Sequence, residues 1–209
     1  MKKITVLLLC SVLGGLTLMA QPGRIIAIKK TNPLPPSKVD FDAYDSLAGE
    51  VKQYRKDRLI SLAQFRDFAK EPNTVILDTR SAEMYKRKHV KGAIHLNFSD
   101  FTQENLRRLI PSADTRILIY CNNNFDNDPV VFATKSFTPR AKDKSKPITL
   151  ALNIPTFINL YGYGYKNVYE LADLVSVFNP FILFEGTDVA LPAAKKKTTV
   201  QAANTKTRQ

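Results

Sequence analysis

Ile117-Leu118-Ile119-Tyr120-Cys121-Asn122-Asn123-Asn124 is the stretch on which the reading of this chain turns. Four apolar or aromatic residues in a row, closed at once by polar ones, describe a strand buried on both faces, as parallel sheets require. Thr74-Val75-Ile76-Leu77 is a second run of this kind, Ile94 to Leu96 reads as a short strand, and Val168 to Leu171 gives the last core strand. Helical patterns separate them. Ser61-Leu62-Ala63-Gln64 has the spacing of a reciprocal N-terminal cap and opens a helix to about Lys70. Ser81 to Arg87 and Gln103 to Ile110 read as helices, the latter stopped by Pro111. Pro155 can open another through Leu160, closed by Gly162 and Gly164. Upstream, Phe41, Tyr44, Leu47 and Val51 recur at helical spacing from Asp40. Strands alternating with helices predict an α/β fold: a parallel sheet with helices on both faces.

The ends of the chain have other characters. Lys2 and Lys3 precede an apolar run from Ile4 to Met19, and Ala20 offers a small residue for cleavage, which is the layout of a secretory signal peptide over 1–20. Residues 21–39, with five prolines and glycines, read as a linker, 40–190 as the domain, and the basic 191–209 as a disordered tail. The expected location is therefore the periplasm or the exterior, with no membrane span after cleavage. The net charge is +12, but seven of those charges lie on Lys2, Lys3 and the tail, leaving +5 for the rest. No aromatic–basic recognition motif accompanies it, so nucleic acid is not an expected partner. Cys10 falls in the signal, so Cys121 is the single thiol of the mature chain and an intramolecular disulfide is excluded.

In open parallel sheets ligands bind beyond the carboxyl ends of the strands. Cys121 stands at such an end, and the asparagines after it suggest exposure. A cup of backbone N–H groups there would favour a thiolate and lower the thiol pKa.

Four segments in order carry a resemblance. Val75-Ile76-Leu77-Asp78-Thr79-Arg80-Ser81-Ala82-Glu83-Met84-Tyr85 and His89-Val90-Lys91-Gly92-Ala93-Ile94-His95-Leu96-Asn97 come first, Ile119-Tyr120-Cys121 next, and Gly164-Tyr165-Lys166-Asn167-Val168-Tyr169-Glu170-Leu171 last. Together they resemble the rhodanese family over roughly Leu59 to Asp173. The resemblance implies that Cys121 attacks the outer sulfur of a small anion such as thiosulfate, holds it as a persulfide, and passes it to a thiol or cyanide. The backbone amides of Asn122, Asn123, Asn124 and Phe125 would cradle the transferred sulfur. No cofactor is implied. Asp78, Arg80 and Glu83 suggest a structural cluster in which Arg80 bridges both acids. His89 and His95 are the only histidines and have no accompanying ligand pattern, so no metal site is expected, and His89 is assigned a local hydrogen bond.

The chain departs from the family in two ways. The loop after Cys121 has no glycine and no cation and carries Asp126 and Asp128, whose charge would disfavour a thiolate. The next helix is delayed to about Pro155, leaving an insertion over about 125–153. Pro129 to Thr134 and Ile148 to Leu152 flank a basic stretch, Arg140 to Lys146, and suggest a hairpin serving as a lid or a partner surface. Lys135, Arg140 or Lys142 folding over Cys121 would supply the missing positive charge. A cysteine phosphatase needs Arg six positions after its cysteine, where this chain has Asn127, and a thioredoxin-type enzyme needs a second cysteine. Two readings remain: a sulfurtransferase using a Cys121 persulfide, or a non-catalytic module that binds a protein through the insertion or senses oxidants.

Overall fold

The computed structural model describes residues 34–140 and 144–189. The expected signal peptide, the first part of the linker, Lys142 and the basic tail lie outside the described residues. The chain divides into two units at Val39/Asp40, and the second holds the elements that follow.

The order is α1 (Phe41–Tyr54), β1 (Leu59–Ile60), α2 (Leu62–Phe68), β2 (Thr74–Asp78), α3 (Ala82–Arg87), β3 (His89–Val90), β4 (Ile94–His95) and α4 (Gln103–Leu109). There follow β5 (Arg116–Tyr120), β6 (Phe125–Asp126), β7 (Ser136–Phe137), β8 (Ile148–Thr149), α5 (Asn153–Gly162), β9 (Val168–Leu171), β10 (Val175–Ser176) and β11 (Phe184–Glu185). Side-chain caps start the helices where expected: Asp40 accepts from the Ala43 amide at 2.9 Å, and Ser61 and Gln64 cap α2 reciprocally.

Five strands form one parallel sheet in the order β1-β9-β5-β2-β4. The expected architecture is thus observed. Alternation along β5 divides the core in two. Ile117 and Ile119 point to one side, packing with Val51 of α1, Leu106 of α4 and Phe157 and Leu160 of α5. Leu118 and Tyr120 point to the other, packing with Phe65 of α2, Phe125, Val131 and Phe132. Each fully buried aliphatic side chain contributes about 1.5–3 kcal/mol, so the two layers hold the sheet between helices from both sides. β1 escaped the sequence reading because a two-residue edge strand has too few residues for a period-two pattern.

The insertion differs from expectation in detail. Pro129 to Thr134 is not a strand. The Val131 and Phe132 amides both bond to Asp128, making a turn that drops the two apolar side chains into the core. A short hairpin does form, two residues further on: β7 and β8 pair antiparallel, with Phe137 opposite Ile148 and Ser136 opposite Thr149. α5 starts at Asn153, with Pro155 in its first turn, where its missing N–H has no partner to lose. β6 and β10 pair in parallel, and β3 and β11 antiparallel, fastening the two ends of the site region to the segment after β9.

Candidate functional site

Cys121 follows β5 directly and lies between that strand and the start of α5. It is 1 % exposed, so the expected exposure is corrected. Its Sγ accepts the Leu152 amide at 3.3 Å and lies 3.6 Å from Asn122 Oδ1. Leu152 is the N-cap residue of α5. Despite the insertion, the chain returns so that the positive end of a helix faces the thiol, as in an uninterrupted loop.

The three asparagines explain why the loop is closed. Asn122 to Asn124 form one 3-10 turn, in which the Asn124 amide donates to Cys121 O at 3.1 Å and the Phe125 amide donates to Asn122 O. The Asn124 amide also faces the Cys121 side chain, whereas the Phe125 amide is held within the turn. The side chains are also occupied. Asn124 Oδ1 accepts from the Cys121 amide at 2.9 Å and from Asn153 Nδ2 at 2.8 Å, while its Nδ2 donates to Leu171 O at 2.7 Å. Asn123 clamps the backbone of Lys135, accepting its N–H at 2.7 Å and donating to its carbonyl at 2.9 Å. Phe125 is buried against Tyr120, Phe132 and Phe184. Of the amide cradle expected over Asn122 to Phe125, the Asn122 and Asn124 amides act on the Cys121 side chain, while that of Phe125 is taken up in the turn.

Burial pushes the Cys121 thiol up, and this outweighs the opposing pull of the Leu152 and Asn122 amides and of Arg80. The expected lowering is reversed in sign. Loop acidity is not the main cause: Asp128 is paired with Lys88 at 2.6 Å. Burial works to raise the Asp128 carboxyl, but Lys88 and the Val131 amide hold it below its ordinary value.

Beneath Cys121 lies a buried polar network. Arg80 Nη2 and Nε bond the Asp78 carboxylate at 2.7 and 3.1 Å, and Tyr120 Oη donates to the same carboxylate at 2.6 Å. The Tyr120 hydroxyl accepts the Val90 amide at 3.0 Å. Arg80 reaches further, to Lys88 O at 2.7 Å and Val131 O at 3.1 Å, with its guanidinium 4.3 Å over the Phe132 ring. Arg80 does not bridge to Glu83, which is exposed in the first turn of α3. The carbonyls of Lys88 and Val131 take the place assigned to that carboxylate, because Arg80 extends inward with the strand end while Glu83 is carried out on the helix. His89 bonds Tyr85 O at 2.7 Å and stacks on the Tyr85 ring, so its local role holds.

Lys135 and Arg140 are exposed, and the cation acting on the thiol is Arg80. Leu152 and Asn153, which complete the thiol's surroundings, were not singled out from sequence; their place just before Pro155, at a helix start, was the available signal. Beside the loop, a cleft of about 200 Å³ is lined by Arg55, Asn123, Asn153 and Glu170, but Cys121 is not on its wall. Among the described residues no cluster of three or more His, Cys, Asp or Glu is placed to hold a metal ion, and no helix is long and apolar enough to cross a membrane.

Residues 61–173 match the family model of the Rhodanese-like domain, more than half of the chain's 209 residues. The crystal structure of the BH2092 protein from Bacillus halodurans is similar at 18 % identity and a TM-score of 0.37, covering 63 % of this chain and 76 % of that one. No curated protein matches the chain.

Proposed function

The chain belongs to the rhodanese-like domain family, and from that membership we propose an exported binding module that works through its 125–153 insertion and holds Cys121 out of turnover. The observation that carries this reading is the closure around Sγ. A persulfide places a second sulfur about 2.05 Å beyond the first. Here the Leu152 amide and the Asn122 side chain already occupy the surroundings of a thiol that is 1 % exposed. A buried thiol with a raised pKa is also a poor nucleophile, since only the thiolate attacks.

One observation favours the sulfurtransferase reading. The Leu152 amide and the positive end of α5 already point at Sγ, so displacing the insertion would leave a thiol with donors in place. Persulfide formation would then proceed by thiolate attack on the outer sulfur of thiosulfate, breaking its S–S bond and releasing sulfite.

Intact-mass analysis after incubation with thiosulfate separates the two. The wild type is expected to gain no sulfur, like Cys121→Ser. A gain of one sulfur atom that cyanide reverses and Cys121→Ser lacks would establish the sulfurtransferase instead. Export is motivated by the Lys2-Lys3 start, the apolar run and Ala20. The same spectrum of protein expressed in a secreting host should lack residues 1–20; retention of the full mass in the exported fraction would refute it.

A further inference from the structure

We propose that the β7–β8 hairpin is a docking surface for an anionic phospholipid bilayer, which rests on the binding-module reading and names what the insertion binds. The hairpin does not use its apolar side chains to cover the domain: all four residues of its ladder, Ser136, Phe137, Ile148 and Thr149, are exposed. In a one-sided antiparallel pair the apolar face packs inward and the polar face meets water. Here Thr149 and Ala151 line the cleft beside the loop, while the alternate residues Ile148 and Leu150 are 54 % and 61 % exposed. Phe137, directly across from Ile148, is 48 % exposed. Three large apolar side chains thus share one solvent-facing surface.

Bases flank those residues in sequence. Lys135, Arg140, Lys144 and Lys146 are all exposed, and none forms an ion pair among the described residues. In sequence the segment 129–152 carries five Lys or Arg and one acid, Asp143. Elsewhere in the domain, bases such as Arg55, Arg80, Lys88 and Arg116 are paired with carboxylates. The hairpin is anchored as well as exposed. Asn123 clamps Lys135, and the Leu150 amide donates to Lys135 O at 2.9 Å, so the apolar face is displayed without further ordering.

Apolar anchors backed by a polybasic rim form the two-signal combination that holds a protein on an anionic membrane surface. A protein partner fits less well. A stable protein interface buries about 800 Å² on each side, far more than three side chains on a two-pair ladder present. A bilayer sets no such minimum, because a few inserted side chains and the field of the headgroups act together.

Sedimentation of the mature full-length chain with lipid vesicles tests this. Binding is expected to phosphatidylcholine vesicles containing about 30 % phosphatidylglycerol and not to phosphatidylcholine alone, weakening as salt screens the headgroups. Removing one base weakens binding about fivefold, so Lys144→Gln with Lys146→Gln should weaken it about 25-fold. Phe137→Ser with Ile148→Ser should abolish it. The chain has no tryptophan, so Phe137→Trp provides a unique fluorophore whose emission should shift to the blue on the anionic vesicles. Absence of binding, or binding that these exposed-site variants leave unchanged, overturns the proposal. So does loss of a chemically cross-linked protein complex in the same variants when vesicles bind none of them. Cys121→Ser should bind like wild type. Failure on vesicles therefore defeats the lipid proposal alone, whereas sulfur uptake by Cys121 defeats the reading it rests on.

Discussion

Replacing Arg80 by Met keeps the volume of the side chain and removes its charge and all its donors. The perturbation is severe because Asp78 is fully buried and Arg80 nearly so. The variant strips the Asp78 carboxylate of its cation and leaves Lys88 O and Val131 O without the donors they have now. Breaking a buried pair by removing one partner costs about 3–5 kcal/mol, and orphaned carbonyls add to that. Loss of about 4 kcal/mol is therefore expected. For a domain of this size each kcal/mol shifts Tm by roughly 2–4 °C, so Tm should fall by about 8–16 °C. The assay is thermal and urea unfolding of wild type, Arg80→Met, Asp78→Asn and the double variant. Asp78→Asn leaves a buried guanidinium unpaired and should cost a similar amount. The double variant removes both charges, and an apolar or neutral replacement of a whole buried pair is far better tolerated than half of one. Its destabilisation should fall short of the sum of the single variants by at least about 2 kcal/mol. Because Arg80 also bonds the turn that opens the insertion, Arg80→Met should speed alkylation of Cys121. A single-variant loss below about 1 kcal/mol, or an additive cycle, would refute the reading of Arg80 and Asp78 as a coupled buried pair.

Two further outcomes follow from the loop. Burial raises the Cys121 pKa above its ordinary value, so the thiol is held protonated around neutral pH. Native alkylation by iodoacetamide should climb only at pH values above those for a free thiol, and an apparent pKa below about 8.5 would contradict the burial argument. With the folded pKa above the unfolded one, the unfolded chain releases its proton first as pH rises, so stability falls across that window, and Cys121→Ser should lack this decline. Asn124→Ala removes the acceptor for the Cys121 amide and the donor to Leu171 O, both buried. It should cost about 3 kcal/mol by urea unfolding, and a loss under 1 kcal/mol would show that the side chain does not hold the loop.

The framework was legible in sequence because it depends on local pattern. The apolar runs at Thr74 to Leu77 and Ile117 to Tyr120 have the composition of strands buried on both faces, and capping residues such as Ser61 mark where helices begin. Those features determined the alternating α/β order and the place of Cys121 at a strand end. They did not determine how the thiol would be surrounded. Polar residues after Cys121 suggested exposure, yet Asn122 and Asn124 are buried and Asn123 is half-buried, because Lys135, Leu171 and Asn153 supply partners to Asn123 and Asn124 from distant parts of the chain. Arg80 behaves similarly, bonding Val131 O across 51 residues in place of the nearby Glu83. The sequence by itself determined which segments form strands and helices and that Cys121 ends a core strand, since periodicity and capping act over a few residues. Only the tertiary structure decided that the cysteine is enclosed and the hairpin shows its apolar face outward, because burial, charge pairing and facing direction depend on contacts separated by tens of residues.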